Sequence, residues 1–335
     1  MWRTEEFVKQ NAEIFGEEME GFLPRKILDF HVHVFPAATL TDGLPFICAG
    51  HPIEKYDIED FETDMAAVLP GRNVSAVIFG LPDPKYDNDI NNRYVAECGN
   101  GDRYTPFRMF DPHVDTPDTL SADIDRGVFR GLKPYLTFAR KKNPDDVQIP
   151  DMLPDWVMEI ANSRKLIITL HIPRKLRLAD PDNQKYVAEY AEKYPDATLV
   201  IAHIGRAYFL KNIAGNLERL KDLPNVYIDL AMLNNWEVLE HAFRQFDHKR
   251  ILFGSDVPVA LAPGKSVEID NQYTYVTPVP WELSISDEHA KLKFTSFLYE
   301  EFRAIRKAVE RLGLGKDFVR DILYRNGTCL LNKNR

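Results

Sequence analysis

The sequence predicts an α/β protein built as a (β/α)8 barrel. Eight short apolar runs rich in β-branched residues recur along the chain, and such continuous hydrophobicity is typical of parallel strands covered on both faces. Helical patterns separate most of these runs, and strands that alternate with helices imply right-handed βα units. Eight units favour a closed barrel over a doubly wound open sheet, because no Gly-rich phosphate turn follows the first strand. The predicted strands span residues 27–34, 74–79, 104–110, 128–132, 166–171, 198–202, 226–230 and 251–253.

The predicted helices fall between these strands and at both ends of the chain. An amphipathic helix over residues 4–20 ends before Pro24. After the last strand a helical pattern covers residues 287–312, and a final helix over 316–324 is expected to stop at Asn326-Gly327. The helices between the strands are predicted at residues 57–68, 91–98, 119–126, 152–162, 183–194, 213–220 and 236–246.

A long polar stretch, residues 257–286, follows the eighth strand. It is rich in proline, and a loop of this length in a compact domain is usually functional. Its aromatic residues Tyr273, Tyr275 and Trp281 suggest that it covers the barrel mouth. We therefore predict a single domain over residues 1–335, with a barrel core at about 26–256 and with residues 257–335 as a lid-like loop and closing helices.

Composition and charge exclude some classes of function. The chain has 335 residues and a formal net charge of −9, which argues against a general nucleic-acid binder because phosphate binding needs a basic face. No apolar run approaches the ~20 residues that a membrane span needs, and the acidic, polar N-terminus does not resemble a signal peptide. Three widely spaced cysteines give neither a CxxC motif nor a disulfide framework, as in proteins of the reducing cytoplasm. We therefore expect a cytoplasmic protein without nucleic-acid or membrane partners.

Metal-ligand residues stand at the carboxyl ends of four predicted strands. His31 and His33 lie two residues apart, so they point the same way from one strand. The runs LIITLH, TLVIAH and ILFGSD end in His171, His203 and Asp256. In a (β/α)8 barrel these ends surround one mouth, and several imidazoles with one carboxylate are typical ligands of zinc or manganese. Any one of these histidines alone would more often be a hydrogen-bonded core residue, but the five residues together predict a metal site.

The order of these motifs resembles the amidohydrolase superfamily. The segments HVHVFP, HIGR and LFGSDVP are similar to its amidohydrolase-related branch, which includes the relatives of aminocarboxymuconate semialdehyde decarboxylase and several lactonases. The resemblance runs from the first predicted strand to the closing YRNGTCLL segment. It implies a TIM-like barrel that holds one divalent metal ion, zinc first and manganese as the alternative, through His31, His33, His171 and Asp256. It also implies that His203 lies nearby, as a ligand or as a hydrogen-bonding partner of the activated water or the substrate.

The implied chemistry is hydrolysis, since a divalent metal lowers the pKa of a bound water and polarises a carbonyl. Asp256 would take a proton from that water and pass it to the leaving group, and His203 would stabilise the developing oxyanion. A metal-dependent, non-oxidative decarboxylase of the same architecture is one alternative. A barrel that binds metal and ligand without catalysis is another.

Cationic residues at or just past strand ends predict an anionic substrate. Lys133, Arg174 and Arg206 follow the fourth, fifth and sixth strands, and arginine binds carboxylates through two parallel hydrogen bonds. We therefore expect a small cyclic ester or amide that bears a carboxylate, with Arg206 as the strongest candidate to bind it. A local ion pair is the alternative for each cation. The resemblance adds a third role for Lys133, because some members of the superfamily use a carbamylated lysine at this strand to bridge two metals.

Two further features leave alternatives open. Asp229 ends the seventh predicted strand, in the segment VYIDLA, where an aspartate either orients a ligand or serves as an internal hydrogen-bond acceptor. The family resemblance, together with the aromatic residues of the stretch 257–286, suggests a homodimer.

Overall fold

A computed structural model describes residues 2–99, 101, 103–281 and 284–333 of the chain. Within this part, the central sheet has eight parallel strands, and each strand pairs with the next one along the chain. Each strand lies within one residue of its predicted ends, except that the fourth begins at Gly131 rather than at residue 128. We number them β1 to β8: Lys26–His33, Asn73–Phe79, Tyr104–Met109, Gly131–Lys133, Ile167–Leu170, Thr198–Ile201, Val226–Asp229 and Ile251–Leu252.

Backbone hydrogen bonds close the sheet into a barrel between β8 and β1. The amide of Phe30 donates to the carbonyl of Phe253 at 2.8 Å, and the amide of Asp256 donates to the carbonyl of His31 at 2.8 Å. The predicted (β/α)8 barrel is therefore confirmed. The second bond also fixes the segment after β8 against the end of β1, so that His31 and Asp256 share one rim of the barrel.

The barrel interior is an apolar cluster beneath this rim. Phe30, Phe79 and Phe107 are fully buried in it, and the rings of Phe30 and Phe107 meet edge to face at 6.0 Å. Leu330 from the last helix joins Leu28 in the same cluster, toward the end of β1 that lies away from the histidines. A larger apolar cluster fills the layer between the sheet and the outer helices. Such close-packed layers give the side chains at the rim a rigid support.

Helices cover the outside of the barrel and begin at side-chain caps. Asp57, Asp87, Thr116 and Asp180 each accept a hydrogen bond from a backbone N–H in the first turn of the helix that follows, which explains where these helices start. Among the described residues, none of the helices is long and apolar enough to cross a membrane. The helices longer than one turn between strands are Ile58–Val68, Asn88–Cys98, Pro117–Asp125, Asp155–Ser163, Pro181–Lys193 and Trp236–Gln245.

One predicted helix, at residues 213–220, is wrong. Gly215 has a φ of 76°, in the left-handed region, and it divides this stretch. Two short turns stand there instead, Leu210–Ile213 and Leu217–Leu220.

The N-terminal helix spans Glu5–Ile14 and continues as a wider π-helical turn, Phe15–Met19, so the helix predicted at this end is present. The residues before it are hydrogen-bonded to the first outer helix, Ile58–Val68. Trp2 Nε1 and Arg3 Nε donate to the carboxylate of Asp64 at 3.1 and 2.8 Å. The N-terminal helix therefore packs on the outside of the barrel rather than across its mouth.

The stretch after β8 carries a small sheet, which corrects the expectation of a loop. Asp270 and Asn271 both have positive φ, 50° and 59°, as a two-residue hairpin turn between antiparallel strands requires. A third strand pairs parallel to the second. Residues 282 and 283 of this stretch lie outside the described residues. We number the strands β9 to β11: Lys265–Ile269, Gln272–Thr277 and Ser284–Ser286.

The first closing helix begins later than predicted. Ser296 accepts a hydrogen bond from the amide of Tyr299 and caps a helix that spans Phe297–Leu312. Residues 287–296 are therefore not helical. The expected start was too early because the charged residues at 287–293 resemble an exposed helix face, whereas the serine cap is a weaker signal in the sequence.

The predicted stop at Asn326-Gly327 is also wrong. Asn326 Nδ2 donates to the carbonyls of His248 (2.6 Å) and Ile251 (2.8 Å), so this side chain ties the helix to the barrel rather than ending it. A Cβ on Gly327 would lie 2.8 Å from Leu28 Cδ2, so the glycine allows the helix to approach β1 closely. The chain runs on through Lys316–Arg320, the π-helical turn Asp321–Arg325 and Asn326–Lys333.

Candidate metal centre

Side chains from different strands converge at the barrel mouth, at the carboxyl ends of the strands. One ligand atom each from His31, His203 and Asp256 lies within 4.8 Å of the others. His31 is 1% exposed and His203 is 3% exposed, whereas the side chain of Asp256 keeps 19% of its surface open. The structure therefore brings three of the predicted site residues into one group, which is open to the outside at the carboxylate.

His33 borders this group through Asp256. His33 Nε2 lies 3.3 Å from Asp256 Oδ1, and His31 Nε2 lies 3.6 Å from the same oxygen. Burial by itself raises the pKa of Asp256, but the contact with His33 and the neighbouring imidazoles outweigh it and lower the pKa to about 2. The carboxylate is therefore ionised at neutral pH and faces the Nε2 atoms of both rings.

Hydrogen bonds on the far side of three imidazole rings set their tautomers. The oxygens that face Nδ1 accept, so each Nδ1 carries a proton and Nε2 is the atom that each ring presents to the mouth, where His31 Nε2 faces Lys133 Nζ at 3.0 Å and His33 Nε2 faces Asp256 at 3.3 Å. Metal-binding histidines are oriented by bonds of this kind. The contacts of Nδ1 are His31 with Asp229 Oδ2 (2.9 Å), His33 with the Gly80 carbonyl (2.7 Å) and His203 with the Ala231 carbonyl (2.9 Å).

His171 lies beside the group of three. Its ring centroid is 5.3 Å from that of His203, and the ring of Tyr135 lies on it at 4.4 Å. Its Nδ1 is buried and has no hydrogen-bond partner among the described residues, and its Nε2 is 3.5 Å from the Tyr135 hydroxyl. Burial, reinforced by the charge of Arg206, lowers the pKa of His171 well below 6.5. A neutral imidazole with an unused nitrogen fits a metal ligand.

The donor set as a whole suits a divalent metal. Neutral imidazoles and one ionised carboxylate are the ligands that zinc and manganese take in proteins. His203 completes the tightest group of three, while His33 touches Asp256 and His171 borders His203. All five strand-end residues of the sequence prediction therefore lie around one rim.

The four residues from His203 to Arg206 form a left-handed turn directly after β6. Their φ angles are 55°, 48°, 65° and 60°. Such backbone costs about 1–2 kcal/mol for each non-glycine residue and is found mainly at functional sites. The His203 amide donates to Asp229 Oδ1 at 2.7 Å, which holds the turn in place. The turn also brings Arg206 close enough to His171 to lower the pKa of that imidazole.

Asp229 has the orienting role that the sequence left open. Its Oδ2 lies 2.9 Å from His31 Nδ1, and its Oδ1 accepts the amides of His203 (2.7 Å) and Ala231 (3.2 Å). Burial raises the pKa of Asp229, and the neighbouring His203 and Lys133 oppose that rise. One carboxylate therefore positions two of the predicted site histidines.

Asp29 is a buried acid that the sequence analysis missed. Its Oδ1 accepts the amides of His31 (3.1 Å) and Ser255 (2.9 Å), and burial raises its pKa to about 7. It joins β1 to the GSD segment after β8. Close approach there also requires Gly254, because a Cβ on this residue would lie 2.7 Å from His31 Cβ. An acid within the apolar run ILDFHVH was the signal that could have revealed it.

Lys133 lies in the buried interior of the candidate metal centre rather than at the opening of the barrel. It is fully buried, with Nζ 3.0 Å from His31 Nε2 and 4.5 Å from the centre of the Phe79 ring. Burial lowers the pKa of Lys133 to about 8, although Asp229 and Asp256 attract its charge. Among the described residues Lys133 has no carboxylate within ion-pair distance, so the local ion-pair alternative is not realised.

The two predicted arginines differ in their surroundings. Arg174 pairs with Asp180 at 2.9 Å and with Asp182 at 3.3 Å, which favours the local-pair alternative for this residue. Arg206 is half-buried, and its Nη1 lies 3.5 Å from the carbonyl of Ile172. No carboxylate in the described part of the chain pairs with Arg206. Its guanidinium is therefore the better placed of the two to bind an anion.

Aromatic residues and a further arginine lie next to Arg206, and the sequence analysis missed most of them. The ring of Tyr208 is 6.4 Å from that of His203 and 4.5 Å from that of Tyr273 on β10. The guanidinium of Arg177 lies 4.3 Å from the centre of the Tyr273 ring. The small sheet β9–β11 therefore borders the mouth through Tyr273. Nothing in the sequence distinguishes Arg177 from the other cations of its loop, because its role depends on a strand almost a hundred residues away.

The fold and the site together define a TIM-like barrel protein with a candidate divalent-metal centre. The sequence matches the amidohydrolase family over residues 28–284, and the chain therefore belongs to this family. The resemblance in the strand-end motifs is confirmed at this level. No curated protein matches the chain.

Several solved structures share the architecture. Amidohydrolase 2 from Bifidobacterium longum subsp. infantis is 17% identical with a TM-score of 0.56, over 92% of this chain and 99% of that one. An amidohydrolase from Burkholderia multivorans with bound zinc is 15% identical (TM-score 0.59), over 91% and 99% of the two chains. A probable 2-pyrone-4,6-dicarboxylic acid hydrolase from Acinetobacter baumannii with citric acid bound is 16% identical (TM-score 0.57), also over 91% and 99%. At these identities the likeness establishes the fold.

Proposed function

We propose that this chain is a metal-dependent hydrolase that opens a small cyclic ester or amide bearing a carboxylate. The observation that carries the proposal is the convergence of His31, His203 and Asp256 within 4.8 Å at the barrel mouth. Arg206, which has no carboxylate partner among the described residues, lies beside this group and accounts for the anionic substrate. Membership of the amidohydrolase family supports the reaction class.

One divalent metal ion, zinc first and manganese as the alternative, is the proposed cofactor. His31, His33, His171 and Asp256 would hold it. The Nδ1 contacts of His31 and His33, which turn Nε2 to the mouth, and the unused Nδ1 of His171 support this set, and Lys133 would give up its contact with His31 Nε2 when the ion binds. When bound, the ion supplies a Lewis acid and lowers the pKa of a water toward neutrality. The zinc in the Burkholderia multivorans amidohydrolase agrees with this choice.

Asp256 is the proposed proton carrier. Its carboxylate is ionised at neutral pH, and its exposure of 19% lets a substrate approach it. It would take a proton from the attacking water and pass it to the leaving oxygen or nitrogen.

His203 fits the role of a ligand better than that of an oxyanion donor. Its Nδ1 proton is engaged by the Ala231 carbonyl, so Nε2 is the ring atom that remains for a metal or a substrate. Stabilisation of an oxyanion would require the protonated ring. We therefore propose that His203 acts at the metal or at the substrate, with its backbone amide held by Asp229 and its ring held by the Ala231 carbonyl.

Arg206 is the proposed carboxylate-binding residue, since a guanidinium binds a carboxylate through two parallel hydrogen bonds. Lys133 and Arg174 are weaker proposals for the same task. Lys133 faces His31 rather than the opening, and Arg174 is already paired with Asp180. The citric acid bound to the Acinetobacter baumannii protein also carries carboxylates.

The test is a panel of lactones and lactams, with and without a carboxylate, incubated with the zinc-loaded and the manganese-loaded protein. We expect metal-dependent ring opening of at least one carboxylated member, followed by titration at constant pH and by NMR. Removing the metal should stop the reaction, and Asp256→Asn should abolish it without unfolding the protein. Release of carbon dioxide without ring opening would replace the proposal by decarboxylation. A loaded protein that binds these compounds but converts none would point to a non-catalytic barrel.

A further inference from the structure

A tight turn directly after β7 carries the carbonyl that holds the ring of His203. The amide of Leu233 donates to the carbonyl of Leu230 at 3.0 Å, so Ala231 and Met232 are the central residues of this turn. Of these two, only Met232 has a positive φ, which is 61°. This combination is that of a type II turn, which normally has glycine at the position of Met232. A methionine there is strained, so contacts from outside the turn are needed to hold it in this form.

The peptide between Ala231 and Met232 has a partner on each side. Its carbonyl accepts a hydrogen bond from His203 Nδ1 at 2.9 Å, and its N–H donates to Glu301 Oε2 at 3.0 Å. A trans peptide is planar, and its C=O and N–H point in opposite directions, so these two bonds share one rigid unit. Glu301 therefore acts directly on the orientation of the carbonyl that His203 uses.

Glu301 is a fully buried acid on the helix Phe297–Leu312. Its other oxygen, Oε1, has no hydrogen-bond partner among the described residues. Burial, reinforced by the charge of Asp29, raises the pKa of Glu301 well above its usual value, so the side chain is a neutral acid at neutral pH. An acid with an unpaired buried oxygen costs stability that an apolar side chain would not cost. The bond to the Met232 amide is the contact that accounts for an acid at this position.

The helix that carries Glu301 is fixed on the barrel by its neighbouring side chains. The ring of Phe302 stacks on that of Phe253, with the centroids 5.3 Å apart. The hydroxyl of Tyr299 donates to the carbonyl of Val68 at 2.6 Å. Glu301 thus approaches the turn from a rigid support, and its oxygen has a defined position relative to the Met232 amide.

The same turn has a second common form, and that form would reverse the contact with His203. In a type I turn the central peptide is rotated by about half a turn and φ of the third residue is negative, a conformation that methionine adopts without strain. The N–H of Met232 would then face His203 Nδ1, and that nitrogen would have to accept. The ring proton would move to Nε2, the atom that a metal or a substrate requires.

We infer that Glu301 is a positioning residue, which holds the Ala231–Met232 peptide in the type II orientation and thereby keeps the proton of His203 on Nδ1. The inference rests on the proposed function in one respect, because it assumes that His203 acts through Nε2 at the metal or at the substrate. Glu301 touches neither of these and acts through one peptide and one imidazole. A neutral acceptor oxygen at the end of the side chain is sufficient for this role, and a charge is not required.

NMR of the ring nitrogens of His203 in the zinc-free, full-length protein tests the inference. The signals are assigned by their loss in His203→Gln. We expect a proton on Nδ1 in the native protein, whereas Glu301→Leu should move most of the population to the form with the proton on Nε2. Glu301→Gln keeps a neutral acceptor oxygen at the same length and should retain the native tautomer.

The affinity for zinc, measured by competition with a chelator, shows where His203 acts. If His203 is a ligand, the affinity should fall about tenfold in Glu301→Leu and stay within about twofold of the native value in Glu301→Gln. A changed tautomer with native zinc affinity supports the positioning role and assigns His203 to the substrate.

Tyr299→Phe is the matched control for a loss of stability alone. It removes a buried hydrogen bond from the same helix without touching the turn, so it should lower the midpoint of thermal unfolding and keep the native tautomer. A changed tautomer in Tyr299→Phe would overturn the inference. If Glu301→Leu does not fold, Glu301→Asp takes its place, because its carboxyl group is one methylene too short to reach the amide, and the same change is expected.

The outcomes distinguish the positioning role from the proposed reaction. A native tautomer in Glu301→Leu or its replacement, a changed tautomer in Glu301→Gln, or a native ring with its proton on Nε2 overturns the inference. A tautomer that depends on Glu301, in a protein that opens no lactone or lactam, supports the positioning role and overturns the hydrolase proposal. Ring opening in a protein whose His203 tautomer does not depend on Glu301 does the reverse.

Discussion

Nδ1 of His31 lies 2.9 Å from Oδ2 of Asp229, and the other oxygen of the same carboxylate accepts the backbone amide of His203 at 2.7 Å. Asp229 thus positions two site histidines that come from different strands. It also fixes the His31 proton on Nδ1, so the metal-binding atom of this ring is Nε2, which faces Lys133 Nζ at 3.0 Å in this structure. The centre depends on this buried acid as much as on the candidate ligands.

Asp229→Asn should weaken metal binding. If the amide oxygen serves the backbone amides of His203 and Ala231, its NH2 group faces His31 Nδ1, and two donors then meet. His31 must move its proton to Nε2, which blocks the lone pair. We expect zinc affinity to fall by about 10- to 100-fold, measured by competition with a chelator.

Asp196→Asn is the matched control for that experiment, because this side chain is exposed and, among the described residues, only the backbone amide of Asp196 makes a hydrogen bond. It should bind zinc as the native protein does. Native zinc affinity in Asp229→Asn would show that His31 does not depend on this carboxylate.

Gly254→Ala should disturb the rim between β1 and β8. The new Cβ would lie 2.7 Å from His31 Cβ, and neither backbone can yield easily. We expect a loss of about 1–3 kcal/mol in the free energy of unfolding, measured with urea, together with weaker zinc binding. Gly16→Ala, in open space on the N-terminal helical segment, should not weaken either property. Unchanged zinc affinity in Gly254→Ala would refute the idea that this close approach shapes the site.

Arg206→Gln should raise the KM for a carboxylated substrate. The guanidinium has no carboxylate partner in the described part of the chain, so its loss removes a charge-assisted contact with the substrate and little else. We expect KM to rise about tenfold or more with a smaller change in kcat, while hydrolysis of an uncharged lactone keeps its KM. The KM of Arg206→Lys for the carboxylated substrate should lie between those of the native protein and of Arg206→Gln. An unchanged KM for the carboxylated substrate would remove Arg206 from the binding site.

Gly327→Ala tests how the last helix packs against the barrel. The added methyl group would lie 2.8 Å from Leu28 Cδ2 and 3.2 Å from Phe30 Cδ2. Overpacking of about 1–3 kcal/mol outweighs the gain of up to about 1 kcal/mol that alanine brings to a helix, so the variant should be less stable in urea. Its zinc affinity should stay native, because the contact lies away from the histidines. A variant more stable than the native protein would mean that Leu28 and Phe30 do not crowd this glycine.

The barrel could be predicted because its signals are local. Continuous apolar runs and strand-end histidines can be read from short windows of sequence, and closure of the sheet then brings the ends together. The small sheet β9–β11 was missed because its strands are polar and proline lies on both sides of them, although Asp270-Asn271 is a good hairpin turn. The helix predicted at residues 213–220 failed for a local reason as well, since Gly215 interrupts it.

The site residues also differ in whether local sequence signals or distant contacts define their roles. His31, His33, His171, His203 and Asp256 were found from their positions at strand ends. Their supports were not, because the roles of Asp29 and Arg177 come from contacts with distant segments of the chain: Asp29 with Ser255, and Arg177 with Tyr273. The sequence named Asp229 but could not choose between its two roles until the distance to His31 was known.

The most direct test of the metal centre is the metal content per chain, measured by elemental mass spectrometry on protein purified without chelator or added metal. We predict about one zinc or manganese ion per chain in the native protein and a large loss in Asp256→Asn. About two ions per chain would point to a binuclear centre bridged at Lys133. No metal in the native protein, with none taken up on titration, would contradict the account, because the converging side chains would then not form a metal site.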